Sequence, residues 1–483
     1  MFLVSLSILS LKSQSNPPLR VEIEVEKDSY PVQVFPAQDQ GLLLLREKYE
    51  PSKFLKMLQF SRYDTNLVKQ STESITVSMD YEYKVHAFYE NYWYGIFQNR
   101  TSKKIPSKTL VVRYDFDNRS VVSKELDNLG DYAVFALKVF KTKLLLAATQ
   151  VSNREELFVL DFETWQLDKT VLDFPSDIFL ECVDFDKVNQ NIRIVLRASD
   201  KKKSQMKLLT FSQDMELLNV FEYPDTFNLT FYTAKIAYTD TNMMIITGTY
   251  FNDNPKKGTD LHSGTYHLKI RNGETEQLKI KPFGQLSFSN TPQQRTSGDD
   301  FRMLLGDIVQ ADSNYVFLAD VYYPEYTQSP APTSSFDMYY GRFYNTIPVE
   351  QFNGFRYVNA YILGFDFDGN LKWSVYYPYN LITKSLKPRI QVHLDGEEAV
   401  LFHVYASRLN YMVVKDKQIV EQNKSVQIES LYSSDEIQYN KEVEFQHWYG
   451  NNFLYSGYQY IKNNGKINKG KRYVFCMNKI AYM

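Results

Sequence analysis

Ala360–Tyr377 (AYILGFDFDGNLKWSVYY) constrains the fold more than any other stretch of the chain. Side chains of an extended chain alternate between two faces. Tyr361, Leu363, Phe365 and Phe367 therefore share one side, and Ala360, Ile362 and Gly364 share the other. Both sides are largely apolar, so this strand is expected to be covered on both faces. Asp368-Gly369 supplies residues that tolerate the positive φ of a hairpin turn. Leu371, Trp373 and Val375 then alternate with Lys372 and Ser374. The stretch predicts a hairpin whose aromatic residues pack a core, with Gly364 admitting a close neighbour.

Weaker copies of the same unit recur along the chain. They include Lys56–Lys69, Thr109–Leu126, Glu156–Leu172, Met206–Phe221, Gly264–Ile280 and Asn410–Ile428, with a last copy at Lys471–Tyr482. Most are preceded by a further strand, polar turn and strand, as in Val134–Ala148. Few stretches read as helix. Four strands recurring every few tens of residues match a β-propeller blade. The predicted class is all-β, an eight-bladed β-propeller with units at 31–77, 81–129, 132–172, 178–221, 230–283, 301–379, 388–432 and 438–483. Seven blades, or tandem β-sandwiches, are the alternatives. The last unit has three clear strands, and Arg20–Glu26 (RVEIEV) is placed to supply its fourth, removing exposed sheet edges.

The sixth unit is interrupted by Pro324–Gly354, rich in Pro, Ser and Tyr. It reads as too irregular for a blade strand and too aromatic for a disordered linker, and long loops in compact repeats commonly carry function. Phe2–Leu11 is an apolar run followed by the small residues Ser13 and Ser15. A signal peptide over 1–15 is expected, despite the missing basic start, with one propeller domain over 16–483. The run is too short to span a membrane.

With 55 basic and 57 acidic residues, the chain offers no dedicated nucleic-acid surface. Two cysteines, Cys182 and Cys476, exclude a zinc cluster or a disulfide framework. Placed in separate units, they are expected to stay unpaired. The histidines His86, His262, His267, His393, His403 and His447 form no HExxH pattern, and His393 and His403 are placed to face each other across a hairpin. The acidic turns at Asp115, Asp184 and Asp366 read as hairpin turns and not as calcium loops. No metal and no cofactor is expected. Nucleotide and hydrolase signatures are absent. The acidic residues Asp299, Asp300, Asp307 and Asp320 lie near the insertion and leave glycoside chemistry open.

Gly364–Trp373 (GFDFDGNLKW) resembles the strand–turn–strand of pyrroloquinoline-quinone-type propellers, in the pattern Asp-x-x-Gly-x-x-x-Trp. No quinone-contacting residues carry over with it. Thr247–Asn254, Asp320–Tyr326, Phe352–Trp373 and the terminal VFCMNKIAYM resemble uncharacterised exported proteins of Bacteroidota. That resemblance implies a secreted or envelope β-rich protein and brings no active site. The expected function is a non-catalytic exported propeller that binds a protein or glycan partner in the cell envelope. Its candidate binding residues are Tyr322, Tyr323, Tyr326, Tyr339, Tyr340, Arg342, Tyr344, Phe355, Arg356 and Tyr357, because Tyr and Arg offer rigid apolar area with polar ends. The alternative is a carbohydrate-active hydrolase or lyase with its site at a central channel mouth.

Overall fold

In the computed structural model, the described residues are 19–27, 31–99, 108–126, 129, 132–150, 155–170, 177–186, 188–199, 204–224, 229–240, 243–252, 262–286, 302–311, 314–329, 349–396, 398–405, 407–465 and 470–482. Apart from three short 3-10 turns, every element described is a β-strand. The strands form eight sheets of four or five strands, and the eight-unit reading holds. Blades 1 to 7 follow chain order, at 32–78, 81–126, 132–170, 177–222, 229–282, 302–383 and 391–427. Blade 8 takes three strands from 435–481 and its fourth from Arg20–Glu24, which pairs with the last strand from Arg20↔Asn478 to Glu24↔Val474. Consecutive antiparallel meanders, the last completed by the first strand, are the topology of a β-propeller. The chain divides into two compact units, Met1–Pro224 with Ala406–Asn410 and Ser425–Met483, and Asp225–Tyr405 with Tyr411–Lys424.

Within each unit the apolar faces of neighbouring blades pack on one another. Leu144, Leu146 and Leu160 of blade 3 join Tyr94, Ile96 and Val111 of blade 2. In the second unit, Ile362 and Val375 of blade 6 join Val392, Leu401 and Met412. The two-faced apolar pattern of the opening stretch has this cause: Ile362 lies in one cluster, Tyr361, Leu363 and Phe365 in another. Trp373 pairs with Gly364, and a Cβ there would stand 2.3 Å from the indole Cε2.

Polar side chains complete the stacking by binding the backbone of the next blade. Lys56 donates to the Tyr81 carbonyl. Gln98 donates to the Tyr132 carbonyl at 2.8 Å and accepts the Val134 N–H at 2.9 Å. Glu155 accepts the Leu180 N–H. The Tyr458 hydroxyl accepts the Val32 N–H at 2.7 Å and donates to its carbonyl at 2.9 Å. Hairpin turns share another device: Asp115, Asp161 and Asp366 each accept backbone N–H groups of the turn that follows. Asp366 also takes the Asn370 amide at 2.9 Å and the Lys372 ammonium at 2.8 Å, so its oxygens serve the hairpin.

Two expectations are corrected. His393 pairs with Val400, which leaves His403 beyond the end of that ladder rather than opposite. The insertion is not irregular throughout. Its first residues, through Ser329, and its last, from Val349, are paired strand, because the ladder between Asn314–Ser329 and Val349–Asp366 continues past the blade across two register shifts.

Candidate functional site

The insertion forms an arm on blade 6. Its strands Asn314–Ser329, Val349–Asp366 and Leu371–Thr383 have 16, 18 and 13 residues, against eight for Gly264–Arg271 in the preceding blade. The register shifts at Val321/Tyr322 and at Tyr357/Asn359, where arm meets blade, and again within the arm at Glu325/Tyr326. Bulges bend a strand and re-aim its side chains.

Pairing Tyr322 with Tyr357, Tyr323 with Arg356 and Arg356 with Ile382 divides the arm into two faces. Tyr322, Phe355 and Tyr357 share one. Their rings continue outward, tilted for Tyr357–Tyr322 at 5.9 Å and then edge to face for Tyr322–Phe355 at 5.8 Å, Phe355–Phe352 at 5.1 Å and Phe352–Tyr326 at 5.7 Å. The row runs from core to solvent, with exposure of 0% at Tyr357, 8% at Tyr322, 38% at Phe352 and 54% at Tyr326. The other face is polar. Arg356 pairs with Glu325 and donates to Asn380 at 2.9 Å. The Arg356 guanidinium holds the Glu325 carboxyl below its ordinary range.

A strap from Thr383 to Ile390 crosses the inner end of the aromatic row. The Tyr357 hydroxyl donates to the Lys387 carbonyl at 2.8 Å and accepts its N–H at 3.0 Å. Arg389 lies 5.6 Å over the Tyr357 ring and ties Thr383 at 2.9 Å and Ser385 at 2.7 Å. Beneath it, buried Asp320 accepts the Tyr379 hydroxyl at 2.7 Å and the Arg389 N–H at 2.6 Å. Burial pushes the Asp320 carboxyl up to about 6, against the pull of those hydrogen bonds. The Tyr379 phenol is raised far above its ordinary value, by burial first and Asp320 second. Lys384, at the start of the strap, stands 5.8 Å over Phe352.

Of the ten candidate residues, Tyr322, Tyr326, Phe355 and Tyr357 meet in the aromatic row, and Tyr323 and Arg356 lie on the opposite face. Tyr339, Tyr340, Arg342 and Tyr344 lie outside the described residues. Sequence reading missed Phe352, Lys384, Tyr379 and Arg389. Phe352 sits in phase with Tyr326 only across a bulge, and the other three come from the far side of a hairpin. Of the four acidic residues near the insertion, Asp307 is exposed and pairs with Lys235 at 2.8 Å and Asp320 is buried, while Asp299 and Asp300 lie outside the described residues.

A second polar constellation lies in the first unit. The first strands of blades 2, 3 and 4 bulge at one equivalent place, at Lys84, Phe135 and Glu181, counted from their hairpin ends Tyr89, Phe140 and Asp186. Glu181 pairs with the Arg197 Nε at 2.9 Å, and the Arg197 guanidinium lies 4.5 Å over Phe179. Burial pushes the Glu181 carboxyl up to about 7, opposed by Arg197, and Glu155 beside it is raised for the same reason. Among the described residues, no group of three or more His, Cys, Asp or Glu is placed to hold a metal ion. Cys182 and Cys476 are both free, and burial raises the Cys476 thiol to about 11.

No family model matches the chain, and no curated protein matches it. Among solved structures it is similar to dihydro-heme d1 dehydrogenase NirN in complex with DHE, at 11% identity and a TM-score of 0.45 over 96% of this chain and 78% of that one. It is also similar to the β-propeller domain of the Trilobed protease from Pyrococcus furiosus, at 9% identity and 0.36 over 80% and 95%. A puromycin-hydrolyzing peptidase of Mycobacterium tuberculosis matches at 8% identity and 0.41 over 81% and 53%. At such scores these likenesses carry no argument about function, and the fold rests on the sheet topology.

Proposed function

We propose that this propeller is an exported recognition protein of the cell envelope and that the blade 6 arm is its binding element. The observation that carries the reading is the aromatic row. Its inner rings are locked into the core by Asp320, Tyr379 and the strap, while Tyr326 and Phe352 emerge into solvent. Exposed aromatics held on a rigid support are what recognition surfaces use, because little side-chain entropy is lost on binding. The apolar run Phe2–Leu11 supports export. Among the described residues, no helix is long and apolar enough to cross a membrane.

The test is affinity isolation of the native protein from an envelope fraction, beside the double variant Tyr326→Ala, Phe352→Ala. Loss of specific partners in the variant supports the reading, and identical partner sets sink it.

The Glu155–Glu181–Arg197 constellation favours a second reading, acid–base chemistry on a glycan. A carboxyl that titrates near neutrality beside a second carboxyl is suited to proton donation. Activity on a panel of polysaccharides that is abolished by Glu181→Gln, with folding intact, would establish it. Unchanged activity in that variant would remove it.

A further inference from the structure

The recognition reading leaves the ligand's class open, and the arm's geometry narrows it. The third arm strand ends at Thr383, which pairs with Phe355, while its neighbour continues outward to Val349. From Gly354 outward, that neighbour is paired on one side only among the described residues. Lys384 stands where the third strand would have continued and donates to the Phe352 carbonyl at 3.4 Å. An open strand edge carries a row of backbone groups ready to pair with another extended chain.

The exposed rings of the arm do not form one flat platform. Sugars stack on exposed flat ring faces, whereas these rings meet edge to face, at 60° for Tyr326–Phe352 and 69° for Phe352–Phe355. Lys384 already lies over Phe352. Such a ridge fits the alternating side chains of a polypeptide strand. The cation placed at the open edge is Lys384; the strap that carries it, Thr383–Ile390 (TKSLKPRI), holds no acidic residue, and the edge strand itself carries Glu350.

Building on the recognition reading, we propose that the arm binds an extended acidic polypeptide, added as a strand along Val349–Gly354, with Phe352, backed by Tyr326, packing its apolar side chains and Lys384 facing its carboxylates. Backbone pairing supplies affinity, and the ring ridge and the lysine select the partner. An edge lysine also guards against unwanted pairing, and the two roles give opposite results on removal.

The probe is an eight-residue peptide of alternating Glu and Val, titrated against the full chain by fluorescence anisotropy. The same peptide N-methylated at alternate residues, the Lys–Val analogue and polygalacturonate serve as comparators. Binding of the Glu–Val peptide is expected, weakened at least tenfold by N-methylation, by Lys384→Ala and by Phe352→Ala. The Lys–Val analogue should bind at least tenfold more weakly. Equal binding of the N-methylated peptide would rule out strand addition, and tighter binding by Lys384→Ala would make that lysine a guard. If polygalacturonate binds and loses its affinity in the ring variants, the acidic-peptide proposal fails while the recognition reading stands. No binding by the Glu–Val peptide at 1 mM, with the envelope partner set still dependent on the rings, likewise overturns the proposal alone.

Discussion

Gly369, in the turn of the Ala360–Tyr377 hairpin, lies against the ring of His267 in the neighbouring blade. A Cβ at 369 would stand 2.5 Å from the His267 Cδ2, and the backbone there has φ +67°. His267 is itself fixed by the Tyr315 hydroxyl at 2.6 Å and by stacking on that ring at 5.8 Å. The most regular turn in the sequence is therefore also a joint between blades 5 and 6. Gly369→Ala should lose about 2–4 kcal/mol, combining left-handed strain with overpacking. Adding His267→Ala should recover part of the overpacking cost. Urea unfolding of the single and double variants measures it, and strict additivity would show that the two residues do not touch.

The closing strand depends on a buried cation. The Arg20 side chain is out of solvent, with Glu22 at 2.8 Å, Gln459 at 2.6 Å and Asn478 at 2.9 Å. Glu22 also receives Arg472 at 2.9 Å. Removing one partner of such a network typically costs about 3–5 kcal/mol. Arg20→Ala should lower stability by that order and expose Val474–Asn478 to hydrogen exchange ahead of the other blades. Uniform exchange would mean that closure does not rest on this residue.

Asp320 sets one pH dependence. Its carboxyl is held at about 6 against an ordinary 3.8, so the folded state binds this proton more tightly than the unfolded chain. The group favours folding most below about pH 4, and that contribution is lost as pH rises through 6. The stability of the wild type relative to Asp320→Asn should fall by on the order of 3 kcal/mol between these limits. Paired urea titrations across pH 4 to 7 test it, and a constant difference would contradict a buried carboxylate.

Buried histidines act in the opposite sense. His262, His267 and His403 are each held down at about 4 by burial, against an ordinary 6.5. They are neutral in the fold, so the stability they protect is present above 6.5 and is lost as pH falls toward 4. His403→Phe should flatten the acid side of the stability profile in that window. An unchanged slope would place His403 in water.

The two ends of the aromatic row should separate in stability measurements. Tyr326→Ala and Phe352→Ala remove exposed rings and should change stability by under about 1 kcal/mol. Tyr357→Phe strips the strap of two hydrogen bonds and should cost about 1–3 kcal/mol. A large loss at Tyr326 would mean that the arm tip is structural.

The blades were legible because their signal is local. Period-2 alternation and an acidic turn can be read within one hairpin, and the unit boundaries from Pro31 to Phe283 fall within a few residues of the observed sheets. The orphan RVEIEV strand was assignable because one unit lacked a partner. The arm was misread because the extra residues Asn353 and Val358 reset the alternation of Val349–Asp366, so a continuous strand looked like irregular sequence. Asp320, Tyr379, Arg389 and Lys384 could not be grouped in advance, since nothing in their spacing encodes a strap folding back over a hairpin.

The sequence by itself determined an all-β chain of four-stranded repeats, completed by its own first strand, because alternation and turn chemistry act over a few residues. Tertiary structure decided which aromatic residues become core and which become surface. Tyr357 and Tyr326 are alike in sequence terms, but a strap held by Asp320 buries one, and a bulge carries the other beyond the blade into solvent.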